Sequence, residues 1–275
     1  MKAYTVDLGK EYGLQGGTLE CILAENPWDS NTDWKRPALI VVPGGGYGMC
    51  SKREAEPIAF EFLKYGFQAF ILKYVCAPDA CYPEQLFELS AAVDYVKKHA
   101  DEMNVNPNEI FVVGFSAGGH LTANLAVEHQ NVATKWGRDI DCKPTAMGLC
   151  YPVISQIHGH QGSFDNLLNG YSDEAKEELL KTLNLDQAVN EQTPPAFIWA
   201  TVSDNAVPAD NALRYAMALD KQGIEYELHM YPRGSHGLST GSLEINVLNG
   251  MGLDRICRWM EDCAKFFRMY VEEKF

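Results

Sequence analysis

Short uninterrupted apolar runs alternate along this chain with longer segments in which apolar residues recur every three or four positions. Uninterrupted runs are typical of strands buried on both faces, and the longer period is typical of amphipathic helices. The pattern predicts strands at residues 18–23, 38–42, 67–74, 110–113, 146–151, 196–202 and 225–231. It predicts helices at residues 56–65, 83–96, 117–129, 173–183, 208–222 and 253–271.

Strands that alternate with helices indicate a mainly parallel central sheet with helices on both faces. The pattern loosens over residues 153–192, where one short helix is flanked by polar and glycine-rich stretches. We interpret this stretch as a small cap insertion. The 275 residues, 1–275, are therefore predicted to form a single α/β domain that carries this insertion.

One glycine-flanked serine stands at a position suited to catalysis. Gly114-Phe115-Ser116-Ala117-Gly118 follows a predicted buried strand and opens a predicted helix. This G-x-S-x-G pattern in a strand–turn–helix setting is typical of a nucleophile elbow, whose tight turn lifts the serine hydroxyl out of the sheet edge. The pattern predicts Ser116 as a nucleophile.

A serine nucleophile needs a base, and the base needs a carboxylate to orient it. Of the seven histidines, His236 is best placed, in a loop just after the last predicted strand. Asp204 follows the strand at residues 196–202, and Asp210 is a rival in the next helix. Functional groups gather at the carboxyl ends of strands in open α/β sheets. We therefore predict a triad of Ser116, Asp204 and His236.

A tetrahedral oxyanion requires backbone N–H donors aimed at one point. Ala117, directly after the predicted nucleophile, offers one donor. Gly44-Gly45-Gly46-Tyr47 follows a buried strand and offers another, because glycine lets the backbone approach a substrate closely. Gly45 is the first choice for the second donor and Gly46 is the alternative.

The charge balance excludes some partners. The chain has 23 Lys and Arg against 37 Asp and Glu, a formal net charge of −14. Nucleic acids and anionic membrane surfaces select basic faces, so neither is an expected partner. The first residues contain no apolar signal core, and we expect a cytoplasmic protein.

The eight cysteines include no C-x-x-C pair, and we expect them to be reduced. A bridge between Cys76 and Cys81 stays open, because they flank the short Ala-Pro-Asp-Ala segment. His158, His160 and Asp165 invite a metal interpretation, which is weaker than hydrogen bonding within the cap. We expect no metal and no organic cofactor.

The chain resembles the esterase branch of the α/β-hydrolase family, over residues 37–267. It is closest to small acetyl-esterase or acetylxylan-esterase-like proteins. The matching segments are Pro43-Gly-Gly-Gly-Tyr47, Gly114-Phe-Ser-Ala-Gly-Gly-His120, Thr193-Pro-Pro-Ala-Phe197, Ser203-Asp-Asn-Ala-Val-Pro208 and Gly234-Ser-His-Gly237. The resemblance implies the α/β-hydrolase fold, with Ser116 as nucleophile, His236 as base and Asp204 as its partner. Many relatives have histidine where this chain has Pro43, which leaves the choice between Gly45 and Gly46 open.

The resemblance implies hydrolysis of short-chain esters, acetyl esters above all, and acetylated sugars as candidate substrates. Tyr47 and Tyr151 are predicted to contact the substrate, with ordinary packing as the open alternative. Two other functions stay open: a small amidase or arylformamidase that uses the same triad, and a non-catalytic binder of small molecules on this scaffold. The sequence leaves homo-oligomer formation open.

Overall fold

A mixed sheet forms the centre of the molecule. The computed structural model describes residues 1–26, 34–242, 245 and 255–272. In this part of the chain the sheet has eight strands, in the order β1-β2-β4-β3-β5-β6-β7-β8. They are β1 (Lys2–Asp7), β2 (Thr18–Leu23), β3 (Arg36–Val42), β4 (Gln68–Lys73), β5 (Val105–Phe115), β6 (Ala146–Cys150), β7 (Ala196–Thr201) and β8 (Tyr226–Tyr231).

Six strands run parallel to one another, in the order β4, β3, β5, β6, β7 and β8 across the sheet. β1 and β2 form an antiparallel edge, in which β2 pairs with both β1 and β4. Because β5, β6 and β7 run in the same direction, the residues that follow them meet at one edge of the sheet. This edge carries the segments that contain Ser116, Tyr151 and Asp204.

Eight helices cover the described sheet: α1 (Leu8–Tyr12), α2 (Glu56–Lys64), α3 (Glu84–Lys98), α4 (Ala117–Trp136), α5 (Gln161–Leu167), α6 (Asp173–Leu183), α7 (Asp210–Lys221) and α8 (Trp259–Arg268). Short 3₁₀ helices lie at Lys52–Glu54, Leu185–Gln187 and Ile256–Arg258. None of the helices in the described ranges has both the length and the apolar composition needed to cross a membrane.

The central strand β3 shows why the sheet is covered on both sides. Its residues Ala38, Ile40 and Val42 pack in one apolar cluster with α3 and α4, whereas Leu39 and Val41 pack in another with α2 and α8. All five are fully buried. Burying one large aliphatic side chain contributes about 1.5–3 kcal/mol, so the uninterrupted apolar run stabilises both layers at once. The predicted α/β class, with a mainly parallel sheet between two helical layers, is confirmed.

The stretch at residues 153–192 contains α5, α6 and one 3₁₀ helix. Phe164, Leu167 and Leu183 are buried in the same cluster as α3 and α4. Leu185 joins a third cluster with β6, β7 and α7. The segment predicted as a cap is thus anchored to the main core by apolar side chains from several of its turns.

Several element boundaries differ from those predicted. The sequence pattern predicts neither β1 nor α1. β1 is an edge strand with no apolar run and most of its residues exposed, and α1 has only 5 residues. β5 begins at Val105 rather than residue 110, since a register shift against β3 accommodates a polar stretch inside the strand.

Helix ends differ as well. α4 extends to Trp136 rather than 129, and it stops where Gly137 adopts a left-handed φ of 69°. The predicted final helix at 253–271 is a 3₁₀ turn followed by α8, and its first two positions lie outside the described residues.

Candidate active site

Ser116 occupies the sharp turn between β5 and α4. Its φ is 52° and its ψ is −117°, a strained conformation for a residue with a side chain. The flanking glycines make this turn possible: a Cβ on Gly114 would lie 2.3 Å from the Gly118 carbonyl oxygen, and a Cβ on Gly118 would lie 2.2 Å from the carbonyl oxygen of Val42. The turn therefore requires glycine at both positions and exposes the serine hydroxyl at the helix N-terminus.

His236 lies between Ser116 and Asp204. The distance from His236 Nε2 to Ser116 Oγ is 2.8 Å, and from His236 Nδ1 to Asp204 Oδ2 it is 2.7 Å. An ionised carboxylate only accepts hydrogen bonds, so this contact assigns the ring proton to Nδ1. Nε2 then carries a lone pair directed at the serine hydroxyl.

The Asp204 carboxylate is held from two sides. Its Oδ1 accepts hydrogen bonds from the backbone N–H groups of Ala206 and Val207, both at 2.9 Å. The side chain is 1% exposed. The rival Asp210 instead forms an ion pair with Arg214 and lies 3.3 Å from His158 Nδ1. The structure therefore brings Asp204, and not Asp210, to His236.

The glycine loop follows β3 and faces the serine. The Gly44 N–H donates to Glu54 Oε2 at 2.9 Å, which leaves Gly45 and Gly46 as the candidate oxyanion donors of this loop. Gly45 has a φ of 124°, and a Cβ there would lie 2.1 Å from the carbonyl oxygen of Met49. Gly46 has a φ of 62° and more room. Ala117 begins α4, where a helix presents free N–H groups and a partial positive charge.

The serine, the histidine and the glycine loop border a cleft of about 320 Å³. Ser116 and His236 lie on its wall beside Gly45 and Gly46. The remaining wall comes from neighbouring loops and from residue 160 of the predicted cap, and comprises Met49, Ser51, Arg53, Glu54, His160, Ala206 and Gly237. The cleft thus combines the serine, the histidine and the glycine loop in one space large enough for a small ligand.

The predicted substrate contacts of Tyr47 and Tyr151 require correction. The two side chains are 1% and 2% exposed, and neither borders the cleft. The Tyr47 hydroxyl donates to His120 Nδ1 at 2.8 Å, and the Tyr151 hydroxyl donates to Glu54 Oε1 at 2.7 Å. Both tyrosines lie behind the walls, because each hydroxyl has a buried polar partner that draws the ring inward.

The BD-FAE family profile matches residues 28–219, which is more than half of the chain. The chain belongs to the BD-FAE family. Among curated relatives, it is 36% identical over 220 residues to endo-1,4-beta-xylanase B of Butyrivibrio fibrisolvens, covering 78% of this chain and 34% of that protein. It is 31% identical over 248 residues to an acetylxylan esterase of Xylanibacter ruminicola, covering 88% and 47%. The BD-FAE chain spans between a third and a half of the length of these relatives.

Solved structures support the fold assignment. An acetyl ester-xyloside bifunctional hydrolase from Caldicellulosiruptor lactoaceticus superposes with a TM-score of 0.77 at 32% identity, covering 92% of this chain and 88% of that one. The carboxylesterase Cest-2923 from Lactobacillus plantarum superposes over 100% of both chains, with a TM-score of 0.85 at 24% identity. These likenesses and the strand order confirm the α/β-hydrolase fold of this BD-FAE protein.

Two buried polar residues beside the site, Glu54 and His120, are not among the residues that the sequence predicts for it. Glu54 is 4% exposed beside Gly44, although its surroundings, Ser51-Lys52-Arg53-Glu54, have the pattern of an exposed polar turn. His120 is buried between Tyr47 and the carbonyl oxygen of Leu183, which its Nε2 approaches to 3.0 Å. Burial lowers the pKa of His120 to about 4, so the imidazole is neutral at physiological pH.

The three cap residues considered as metal ligands each contact a different polar side chain. His158 lies next to Asp210, His160 Nδ1 is 3.1 Å from Ser163 Oγ, and Asp165 accepts a hydrogen bond from Gln161. Across residues 1–26, 34–242, 245 and 255–272, no three His, Cys, Asp or Glu side chains are grouped as metal ligands.

The bridge between Cys76 and Cys81, which the sequence leaves open, is not formed, and neither cysteine is in a disulfide. The Cys76 sulfur instead lies 3.9 Å from the sulfur of Cys50.

Proposed function

We propose that this protein is a serine carboxylic ester hydrolase that removes short acyl groups, acetyl above all, from carbohydrate esters. One observation carries the proposal: Ser116, His236 and Asp204 form a continuous hydrogen-bonded chain that opens into a small cleft. Membership of the BD-FAE family and relatives named as acetylxylan esterase and acetyl ester-xyloside hydrolase support the ester as substrate.

In the proposed mechanism, Ser116 Oγ attacks the ester carbonyl carbon while His236 Nε2 takes the hydroxyl proton. The carbonyl oxygen becomes an oxyanion, which receives hydrogen bonds from Ala117 and from either Gly45 or Gly46. The intermediate collapses, the C–O bond to the alcohol breaks, and the imidazolium gives its proton to the departing oxygen. Water then attacks the acyl-serine with His236 as base, which releases the acid and restores Ser116.

Asp204 supports each proton transfer without itself becoming protonated. Its Oδ2 keeps the proton on Nδ1 of His236 and stabilises the imidazolium that forms. The two backbone N–H donors from Ala206 and Val207 hold the carboxylate in place. The electrostatic support is therefore already in position before a substrate arrives.

The cleft accommodates a short acyl group joined to a polar alcohol part. Its volume of about 320 Å³ includes the space above the glycine loop, where the carbonyl must lie. Ser51, Arg53 and His160 place polar atoms around this space and suit an alcohol part that carries hydroxyl groups. A long alkyl chain gains little there, because such chains are bound by extended apolar surfaces.

Hydrolysis of p-nitrophenyl acetate, butyrate and octanoate tests the proposal, with Ser116→Ala beside the unsubstituted protein. We expect turnover to fall steeply from acetate to octanoate, and Ser116→Ala to lower kcat by about 10⁴-fold or more. Ser90→Ala is a matched control, since Ser90 is a buried serine that bonds to Leu86 within α3. Full activity of purified Ser116→Ala would refute the assignment of the nucleophile.

The substrate class is tested separately. We expect acetate release from acetylated xylo-oligosaccharides, and a rate on p-nitrophenyl acetate far above that on the matched anilide. A flat chain-length profile would contradict the acetyl preference. A faster rate on the anilide would favour the amidase function that the sequence leaves open.

A further inference from the structure

A buried carboxylate lies between the glycine loop and the histidine loop, and the proposed mechanism does not use it. Glu54 ends the 3₁₀ helix Lys52–Glu54 and is 4% exposed. Its Oε2 accepts the Gly44 N–H at 2.9 Å, and its Oε1 accepts the Tyr151 hydroxyl at 2.7 Å. Both oxygens therefore accept hydrogen bonds from buried donors, one in the glycine loop and one on Tyr151.

The hydrogen-bond direction at Tyr151 follows from its neighbours. The backbone N–H of Ser239 donates to the Tyr151 hydroxyl at 2.9 Å, so the tyrosine proton points to Glu54. Burial and the nearby Glu54 carboxylate raise the pKa of Tyr151 well above its usual value, which keeps the hydroxyl a donor. The Tyr151 ring lies edge-on to the His236 ring, with centroids 5.1 Å apart.

The same chain of contacts joins backbone segments under strain. In the described part of the chain, five residues other than glycine have a positive φ, and four of them surround the site: Tyr47 at 60°, Ser116 at 52°, Tyr151 at 38° and Ser239 at 55°. Such conformations persist only where surrounding contacts impose them, and they gather at functional sites. Glu54 bonds directly to one of these residues and reaches Ser239 through it.

We infer that Glu54 is a positioning residue for ester hydrolysis: its carboxylate fixes the glycine loop at Gly44 and, through Tyr151, the loop that carries His236. This inference rests on the proposed function. This acceptor links the oxyanion donors to the base, since it holds Gly44 directly and holds the histidine loop through the Tyr151 hydroxyl and the Ser239 N–H. A displaced donor or base weakens transition-state stabilisation more than substrate binding.

Glu54→Gln tests the inference, because it preserves size while placing an amide N–H₂ opposite one of the two donors. We expect kcat on p-nitrophenyl acetate to fall by about 10-fold or more, with KM within about 2-fold of the unsubstituted value. Glu56→Gln is the matched control, two residues further along in the first turn of α2, and removes the same charge. It should leave kcat and KM unchanged.

Tyr151→Phe removes the second link of the chain and carries the test if Glu54→Gln fails to fold. We expect a similar loss of kcat. In the double variant Glu54→Gln/Tyr151→Phe, kcat should be no more than about 2-fold below that of the slower single variant, because residues that act as a unit are non-additive. Melting temperatures of all variants separate lost stability from lost catalysis.

Three outcomes would overturn the inference while leaving the esterase proposal intact, provided that the unsubstituted protein hydrolyses the ester. These are an unchanged kcat in folded Glu54→Gln, a rise in KM alone, and losses that multiply in the double variant. A rise in KM alone would place Glu54 in substrate binding. If the unsubstituted protein hydrolyses no ester, the proposed function and this inference are both wrong.

Discussion

His120 gives a prediction about stability that depends on the sign of a pKa shift. Its ring lies 1% exposed between the Tyr47 hydroxyl and the carbonyl oxygen of Leu183. Burial disfavours the charged imidazolium and lowers the pKa from 6.5 to about 4. Between these values the unfolded chain binds a proton that the folded protein does not. The free energy of unfolding therefore decreases as the pH falls below about 6.5.

The magnitude follows from the size of the shift. Each pKa unit corresponds to about 1.4 kcal/mol, so the full difference approaches about 3 kcal/mol below pH 4. At pH 5 the histidine of the unfolded chain is almost fully protonated. The free energy of unfolding therefore falls by about 2 kcal/mol between pH 7.5 and pH 5. Glu88 acts with the opposite sign. Burial raises its pKa to about 8, so the folded protein keeps a proton there that the unfolded chain releases, and the free energy of unfolding decreases as the pH rises.

The assay compares the unsubstituted protein with His120→Gln, by urea unfolding at pH 7.5 and pH 5. Glu88 is present in both proteins, so its contribution cancels in the difference. We expect His120→Gln to be less stable at pH 7.5, since it loses a buried ring and its hydrogen bonds. From pH 7.5 to pH 5, the free energy of unfolding of His120→Gln should fall by about 2 kcal/mol less than that of the unsubstituted protein. Equal pH dependence in both proteins would refute a buried neutral imidazole at this position.

Three further predictions concern catalysis and packing. Asp204→Asn should lower kcat for ester hydrolysis by about 10⁴-fold with little change in circular dichroism, because an amide does not keep the proton on Nδ1 of His236; a loss below 10-fold would contradict this. Gly45→Ala should abolish turnover, because its Cβ clashes with the Met49 carbonyl oxygen. Gly46→Ala should keep more activity, because the nearest atom to its Cβ, Ser163 Oγ, lies 3.7 Å away. Equal rates in the two variants would refute the loop geometry. Ile40→Ala should lower the free energy of unfolding by about 2–5 kcal/mol in urea titrations, and an effect under 1 kcal/mol would contradict its full burial.

The principal features of the site could be predicted because each belongs to a local pattern. Gly114 to Gly118 specify a tight turn after a buried strand wherever that strand lies in the sheet. Asp204 follows another buried strand, and parallel strands place their carboxyl ends at a common edge. Order along the chain and strand direction therefore predict an encounter among Ser116, Asp204 and His236, and the distances of 2.7 and 2.8 Å describe that encounter.

Other features depend on contacts between distant segments and carry no local signal. Glu54 lies in a polar run typical of an exposed turn, yet it is buried because Gly44 and Tyr151 both direct donors at it. Tyr47 is an aromatic residue beside a glycine loop, and only its pairing with His120 from α4 turns it away from the cleft.

The chain by itself determined most of the strands and helices and the order of Ser116, Asp204 and His236, since these follow from short-range periodicity and turn geometry. Only the tertiary structure decided which polar groups are buried around the cleft. Burial of a polar side chain requires a partner, and for Glu54 that partner at Tyr151 lies 97 positions away along the chain.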